Sequence, residues 1–157
     1  MSEIKRIKDQ LRRAFEGEAW HGPSVSEVLA GVMAEQAAAH PVSGAHSIWE
    51  IALHIGAWER IARKRIEEWI PMEATPEEDW PPVDETTEHA WKNALNSLKL
   101  NHAALEGVIA HLDEARLEEI VPGTRYSVYF LLHGVIQHDL YHAGQIALLK
   151  KAANSDR

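Results

Sequence analysis

Between residues 131 and 149 the apolar side chains recur at three- and four-residue intervals, and two histidines stand in the same row. On a helix of 3.6 residues per turn, Leu131, Val135, His138, His142, Gln145 or Ile146, and Leu149 share one stripe. A stripe of that length has to be buried against other helices, and the fold then has to accommodate two imidazoles turned inward. One turn apart, their Cβ atoms are expected roughly 5–6 Å from each other. Each ring can then bring a nitrogen to about 2.0–2.1 Å from a shared zinc-like ion. Two readings stay open on this stretch alone. The pair is a chelate, or each histidine is a core residue hydrogen-bonded to a neighbouring helix, since buried polar groups are normally paired. The His-Glu-x-x-His pattern of metalloproteases is absent.

Three further runs carry the same period. Residues 2–16 place Ile4, Ile7, Leu11, Ala14 and Phe15 on one side of an amphipathic first helix that Ser2 can cap. Two glycines and a proline between residues 17 and 24 then break the helix. Ser24, with Glu27 three residues on, has the form of a capping box for a short helix burying Val28, Leu29 and Val32. A second break lies at residues 40–44. The connection is therefore long for a bundle, where about 2–8 residues is usual.

The second long helix is expected over residues 47–70, stopped by Pro71, with Ile48, Ile51, Ile55, Trp58, Ala62, Ile66 and Trp69 as its stripe and His54 inside that stripe. Residues 71–82 read as a loop, and residues 84–87 offer several caps for a third helix carrying Trp91, Ala94, Leu95, Leu98, Leu105, Val108, Ile109 and Leu112. His89, His102 and His111 on that helix are expected at the surface. A polar connection over residues 113–125 leads to a last helix over about 127–153. Four long helices without alternating strand patterns predict an all-α four-helix bundle, with a long, partly helical connection between helices 1 and 2. Residues 1–157 are expected to form this one domain, a usual size for a chain with its own core.

Composition narrows the chemistry. Cysteine is absent, so any metal must be held by His, Asp or Glu. The formal charge of −8, with no basic patch larger than residues 60–65, disfavours nucleic acid as a partner. Residues 1–10 are too charged for the apolar core of a signal peptide, and no stretch approaches the roughly 18 apolar residues of a membrane span. A cytoplasmic protein with no membrane partner is the expectation. A di-iron carboxylate site is disfavoured, because the Glu-x-x-His at Glu18 and His21 lies at a helix break.

Three motifs carry a family resemblance: Trp20-His-Gly-Pro23, Ser47-Ile-Trp-Glu-Ile-Ala-Leu-His54 followed by Trp58-Glu59, and Gln137-His-Asp-Leu-Tyr-His-Ala-Gly-Gln-Ile146. Together they resemble the DinB-like superfamily over nearly the whole chain, and the last is the most specific. The resemblance implies a four-helix bundle in up-down-down-up order and frequent homodimerisation. It also implies one divalent metal ion per chain at His54, His138 and His142. Zinc or nickel suits such ligands best, with iron or manganese as further options. Some members are thiol S-transferases or isomerases using bacillithiol, mycothiol or glutathione. The mechanism implied is that the metal binds the thiol, lowers its pKa and presents a thiolate to an electrophilic small molecule. The alternative is a non-catalytic dimeric stress-related or ligand-binding protein with a structural metal.

The supporting residues expected around the histidines are Gln145, Glu50 and Tyr141. Gln145 can orient an imidazole, and Glu50, one turn before His54, can accept from its second nitrogen. Tyr141, Asp139 and His133 point progressively away from the stripe. Glu50, Glu59 or Gln145 could supply a fourth donor; otherwise that position stays open. Arg60, Arg63 and Arg65 could hold a carboxylate or phosphate of the substrate or form a solvated face, and Trp49 and Trp58 could wall a pocket or pack. Gly144, inside a helix, suggests a close helix approach. No residue is assigned a catalytic role.

Overall fold

The computed structural model describes residues 2–155. Met1, Asp156 and Arg157, included in the single-domain expectation, lie outside the described residues. The described chain is all-α: α1 (Glu3–Phe15), α2 (Val25–Leu29), α3 (Ala34–Ala38), α4 (Ile48–Glu68), α5 (Pro76–Asp79), α6 (Glu88–Ala110), a 3₁₀ turn (Glu114–Glu118) and α7 (Val128–Ser155). The helices start where the sequence offers caps. Ser2 accepts from the Lys5 amide, and Ser24 with Glu27 and Ser47 with Glu50 form complete capping boxes. Thr87 caps α6 through the Ala90 amide. Each such cap is worth about 1 kcal/mol.

Three boundaries differ from expectation. The short helix after Ser24 stops at Leu29, because Gly31 turns the chain at φ +72°, and α3 follows as a separate piece. The second long helix ends at Glu68, with Trp69 in the left-handed conformation at φ 51°. It stops before Pro71 reaches it, since a proline already disfavours helix at the preceding residue. Residues 71–82, expected to be a loop, contain α5, where Thr75 and Glu78 close a capping box and Pro76 occupies the first turn.

The apolar core falls into two clusters. The first takes Ile48, Ile51 and Ile55 from α4, Trp91 and Leu98 from α6, and Ala143, Ile146 and Leu149 from α7. The second takes Ala62 and Ile66, Leu105 and Ile109, and Leu131, Leu132, Val135 and Ile136 from the same three helices, with Ile4, Ile7 and Leu11 of α1. On every long helix but α1, polar residues lie at or beside the junction of the two: His54 and Glu59 on α4, His102 on α6, and the half-buried His138 with Asp139 and His142 on α7. A polar layer therefore crosses the middle of the bundle. α4 and α6 both run from the first cluster to the second, whereas α7 runs the other way.

This order accounts for both long connections. α1 and α4 each pack on α6 and α7 and so lie across the bundle from one another. Residues 16–47 span that diagonal, with α2 resting on α7 and α3 on α4 and α6. The parallel neighbours α4 and α6 need a return path along the bundle, and residues 69–87 provide it. That path passes the polar layer and leaves Asp79 and Trp80 beside His54.

Close helix approach occurs at Gly56 of α4, where an added Cβ would meet Leu98 and Asn101 of α6 at 3.3 Å. Gly144, expected to play that part, is exposed with open space around it. Trp49 packs in the core, 5.0 Å from the ring of Trp91. No helix among the described residues is long and apolar enough to cross a membrane.

Candidate metal centre

α4 contributes His54 and α7 contributes His138 and His142, and the structure brings the three rings together. Their centroids lie 4.8 Å (His54–His138), 4.7 Å (His54–His142) and 4.4 Å (His138–His142) apart, and each offers a ring nitrogen within 4.8 Å of the others. Neighbours orient the rings. His54 Nδ1 donates to the carbonyl oxygen of Asp79 at 2.7 Å, and His142 Nδ1 donates to Gln145 Oε1 at 2.6 Å. A nitrogen bonded in this way is unavailable as a ligand, so both rings turn Nε2 inward. His138 places its Nε2 3.0 Å from that of His54. Two imidazole lone pairs repel at this distance, so the ring proton of His138 or a cation has to lie between them.

The donor set fits a divalent ion. The 3.0 Å separation is less than twice the bond length of about 2.0–2.1 Å that zinc makes to imidazole, so one ion can bond both nitrogens. Burial lowers all three pKa values, taking His138 and His142 to about 4; at His54 the bond to Asp79 opposes the shift. The rings are therefore neutral near pH 7, the form a metal requires.

The supporting residues differ in part from expectation. Gln145 accepts from His142 Nδ1. Glu50 is not the acceptor for His54: its carboxylate caps α4 through the Ser47 amide at 2.7 Å and faces His40 and His46. Tyr141 is largely exposed, with its ring edge-on to His142 at 5.1 Å. The residues that sequence reasoning missed are Asp79 and Trp80. The Asp79 side chain accepts from Trp58 Nε1 at 2.7 Å while its carbonyl holds His54. Trp80 stacks on His54 at 3.7 Å and on His46 at 3.6 Å, both nearly parallel, so it is sandwiched between them. The Thr75-x-x-Glu78 capping pattern was the available signal for this turn.

The sequence model of the DinB superfamily matches residues 19–146, a span that contains all three histidines and most of the bundle. The chain belongs to the DinB superfamily. Among solved structures, one described as the conserved protein of locus from Enterococcus faecalis superposes with a TM-score of 0.72, covering 99% of each chain at 15% identity. At that identity the likeness establishes the fold alone. No curated protein matches the chain.

In this DinB-superfamily chain the rest of the polar layer forms a separate group. His102, expected at the surface, is 3% exposed; its Nδ1 lies 2.7 Å from Glu59 Oε1, and its ring stacks on Phe15 at 3.9 Å. Asp139, expected to point away, is fully buried. The reason is that α7 is covered on two sides and buries two adjacent rows, so that Leu132, Ile136, Asp139, Ala143 and Ile146 form a second stripe beside the histidine stripe. Burial, reinforced by Asp139, pushes the Glu59 carboxyl well up, and burial takes His102 down to about 4, which leaves the shared proton on Glu59. Glu59 therefore belongs to His102 and not to the three-histidine cluster. Glu16, His102 and Glu106 also bring ligand atoms within 4.8 Å of one another. Glu16 is exposed, however, and Arg12 and Lys8 already act on these carboxylates.

Two cavities reach the histidine cluster. One, of ≈ 250 Å³, runs from His138 past Trp58, Val135, Leu131 and Phe130 to Arg65 and Tyr126. The other, of ≈ 450 Å³, opens from His142 and Gln145 past Trp80 and His46 toward Tyr141 and Leu148. The first lies along the N-terminal half of α7 and the second along its C-terminal half, so they approach from opposite directions.

Proposed function

We propose that the chain is a metal-dependent transferase or isomerase that uses a low-molecular-weight thiol, of the bacillithiol, mycothiol or glutathione type, on an electrophilic small molecule. His54, His138 and His142 would hold one divalent ion, zinc or nickel first. The observation that carries this reading is the pair of cavities meeting at one histidine cluster from opposite ends, which is the layout a two-substrate reaction needs. A structural metal would need no access at all.

A divalent ion held by His54, His138 and His142 would supply the Lewis acidity that lets a thiol lose its proton near neutral pH. In the transferase the sulfur then forms a C–S bond to the electrophile, the displaced group leaves with its electron pair and the thiol proton passes to water; in the isomerase the C–S bond breaks again and the thiol is recovered. The chain's own residues prepare the site. Asp79 and Gln145 hold the imidazoles of His54 and His142 with Nε2 inward, and Trp80 covers the outer face of His54. The larger cavity, bordered by His46, Tyr141 and Gln145, suits the polar thiol, and the smaller apolar one suits the electrophile. None of Glu50, Glu59 or Gln145 is placed to close the coordination sphere, which leaves a position for the thiol.

Homodimerisation is part of the proposal. Phe130, Tyr141 and Leu148 are more than 60% exposed along the outer side of α7, a surface that suits a second copy of the chain.

The test is substrate depletion with several thiols against a panel of electrophiles, using metal-loaded and chelated protein in parallel. Turnover that disappears with the chelator and returns with zinc or nickel supports the transferase. Stoichiometric metal with no turnover for any thiol, and no spectral response of the cobalt form to thiol or azide, would establish the structural-metal alternative.

A further inference from the structure

Arg65 is the one basic residue between positions 60 and 65 that the bundle buries. Its neighbour Arg63 pairs with Glu67 at 2.7 Å near the surface, whereas Arg65 is 8% exposed. Inside, its Nη1 donates to the hydroxyl of Tyr126 and its Nη2 to the carbonyl oxygen of Met72 at 3.1 Å. Both partners are neutral, and the buried Nε has no partner. Among the described residues no carboxylate pairs with this guanidinium, although the chain carries 24 acidic residues. A buried cation is normally matched by an anion, because desolvating an unpaired charge costs several kcal/mol.

Arg65 lines the smaller cavity. Apart from Arg65, His138 and Tyr126, the wall is apolar: Trp58, Phe130, Leu131, Val135 and Gly134. Trp58 joins the two ends, with Arg65 5.6 Å from its ring centroid and the His138 ring 6.1 Å from it on the metal side. At ≈ 250 Å³ the space lies just below the about 300–1,000 Å³ usual for ligand pockets, which limits the occupant to a small molecule.

We propose that this cavity binds a small apolar carboxylic acid, with its carboxylate on Arg65, its aromatic or aliphatic body against Trp58 and Phe130, and its far end at His138. A guanidinium carries five N–H donors, and the bonds to Tyr126 and Met72 use one on each Nη, so Nη1 and Nη2 each keep an N–H for a carboxylate. The identification of this acid as the electrophile rests on the transferase reading; its binding does not. The Tyr126 hydroxyl and the Met72 carbonyl fix the guanidinium plane so that Arg65 is preorganised for such an anion.

The experiment is calorimetric titration of metal-free, full-length protein with 3-phenylpropanoate and with its neutral isostere 3-phenylpropanamide. Removing the metal makes the result independent of any ion at the histidine cluster. The acid is expected to bind at least about tenfold more tightly than the amide, since the charged group alone separates them. Arg65→Gln should erase that preference and Arg65→Lys should keep part of it. Because Arg65 is buried and its variants could lose structure, Gly134→Leu is the second test. An added side chain at Gly134 meets no atom within 4 Å at its Cβ and grows into the cavity wall, so binding should be lost while the melting temperature does not fall. The proposal is overturned if neither probe binds, if acid and amide bind within twofold of each other, or if Gly134→Leu binds the acid as the unaltered protein does. Acid binding in a protein that takes up no metal would reject the metal reading and uphold this one. Metal uptake without acid binding would do the reverse.

Discussion

At the scale of single residues, the Glu59–His102 pair gives the bundle an acid–base property separate from the candidate metal site. Glu59 has its pKa raised in the folded state, so it contributes stability below the unfolded value of about 4.5 that is lost as pH rises. His102 has its pKa lowered to about 4, so the unfolded chain takes up the proton first as pH falls from about 6.5, and stability then rises with pH across that window. Glu59→Gln removes the first effect and keeps a donor for His102 Nδ1. Urea unfolding at several pH values should therefore show the variant gaining stability relative to the unaltered protein as pH rises from 5 to 8. A constant or shrinking difference would mean that Glu59 is ionised in the fold. His102 and Asp139 were not legible as core residues from spacing alone. His102 looked polar by its neighbours, and a single stripe on α7 hid the second row that contains Asp139.

At the scale of elements, the return path between α4 and α6 does more than connect. Replacing Trp80 by Ala removes a half-buried ring from between His46 and His54, at about 1–2 kcal/mol in stability. Metal affinity should fall by about tenfold or more, as it does when a residue supporting a ligating histidine is lost. Metal titration together with urea unfolding separates the two effects, and unchanged affinity would reduce Trp80 to packing. Two glycines make an opposed pair. Gly144→Ala should stabilise the protein by up to about 1 kcal/mol, because the helix is open there. Gly56→Ala should destabilise it, because Leu98 and Asn101 already stand at 3.3 Å. The capped helix starts at Ser2, Ser24, Ser47 and Thr87 were readable because a cap is a local pattern. α5 had such a pattern at Thr75 and Glu78, but its placement beside His54 was not readable, because it depends on α4 and α6 running in the same direction, which no local pattern encodes.

At the scale of the whole molecule, the chain is two apolar clusters separated by a polar layer, and the candidate site is the part of that layer reached by both cavities. A homodimer through α7 should show twice the 17.7 kDa chain mass in sedimentation equilibrium, and Tyr141→Glu with Leu148→Lys should return it to one. A monomer at all concentrations would remove that part of the proposal. The central claim is that His54, His138 and His142 together hold one ion. Elemental analysis after equilibrium dialysis against zinc, on protein carrying no affinity tag, tests it most directly. The account predicts about one zinc per chain in the unaltered protein and a clear loss of occupancy when His54, His138 or His142 is changed singly to Ala, with the fold retained by circular dichroism. Full occupancy in all three variants, or none in the unaltered protein, would contradict it.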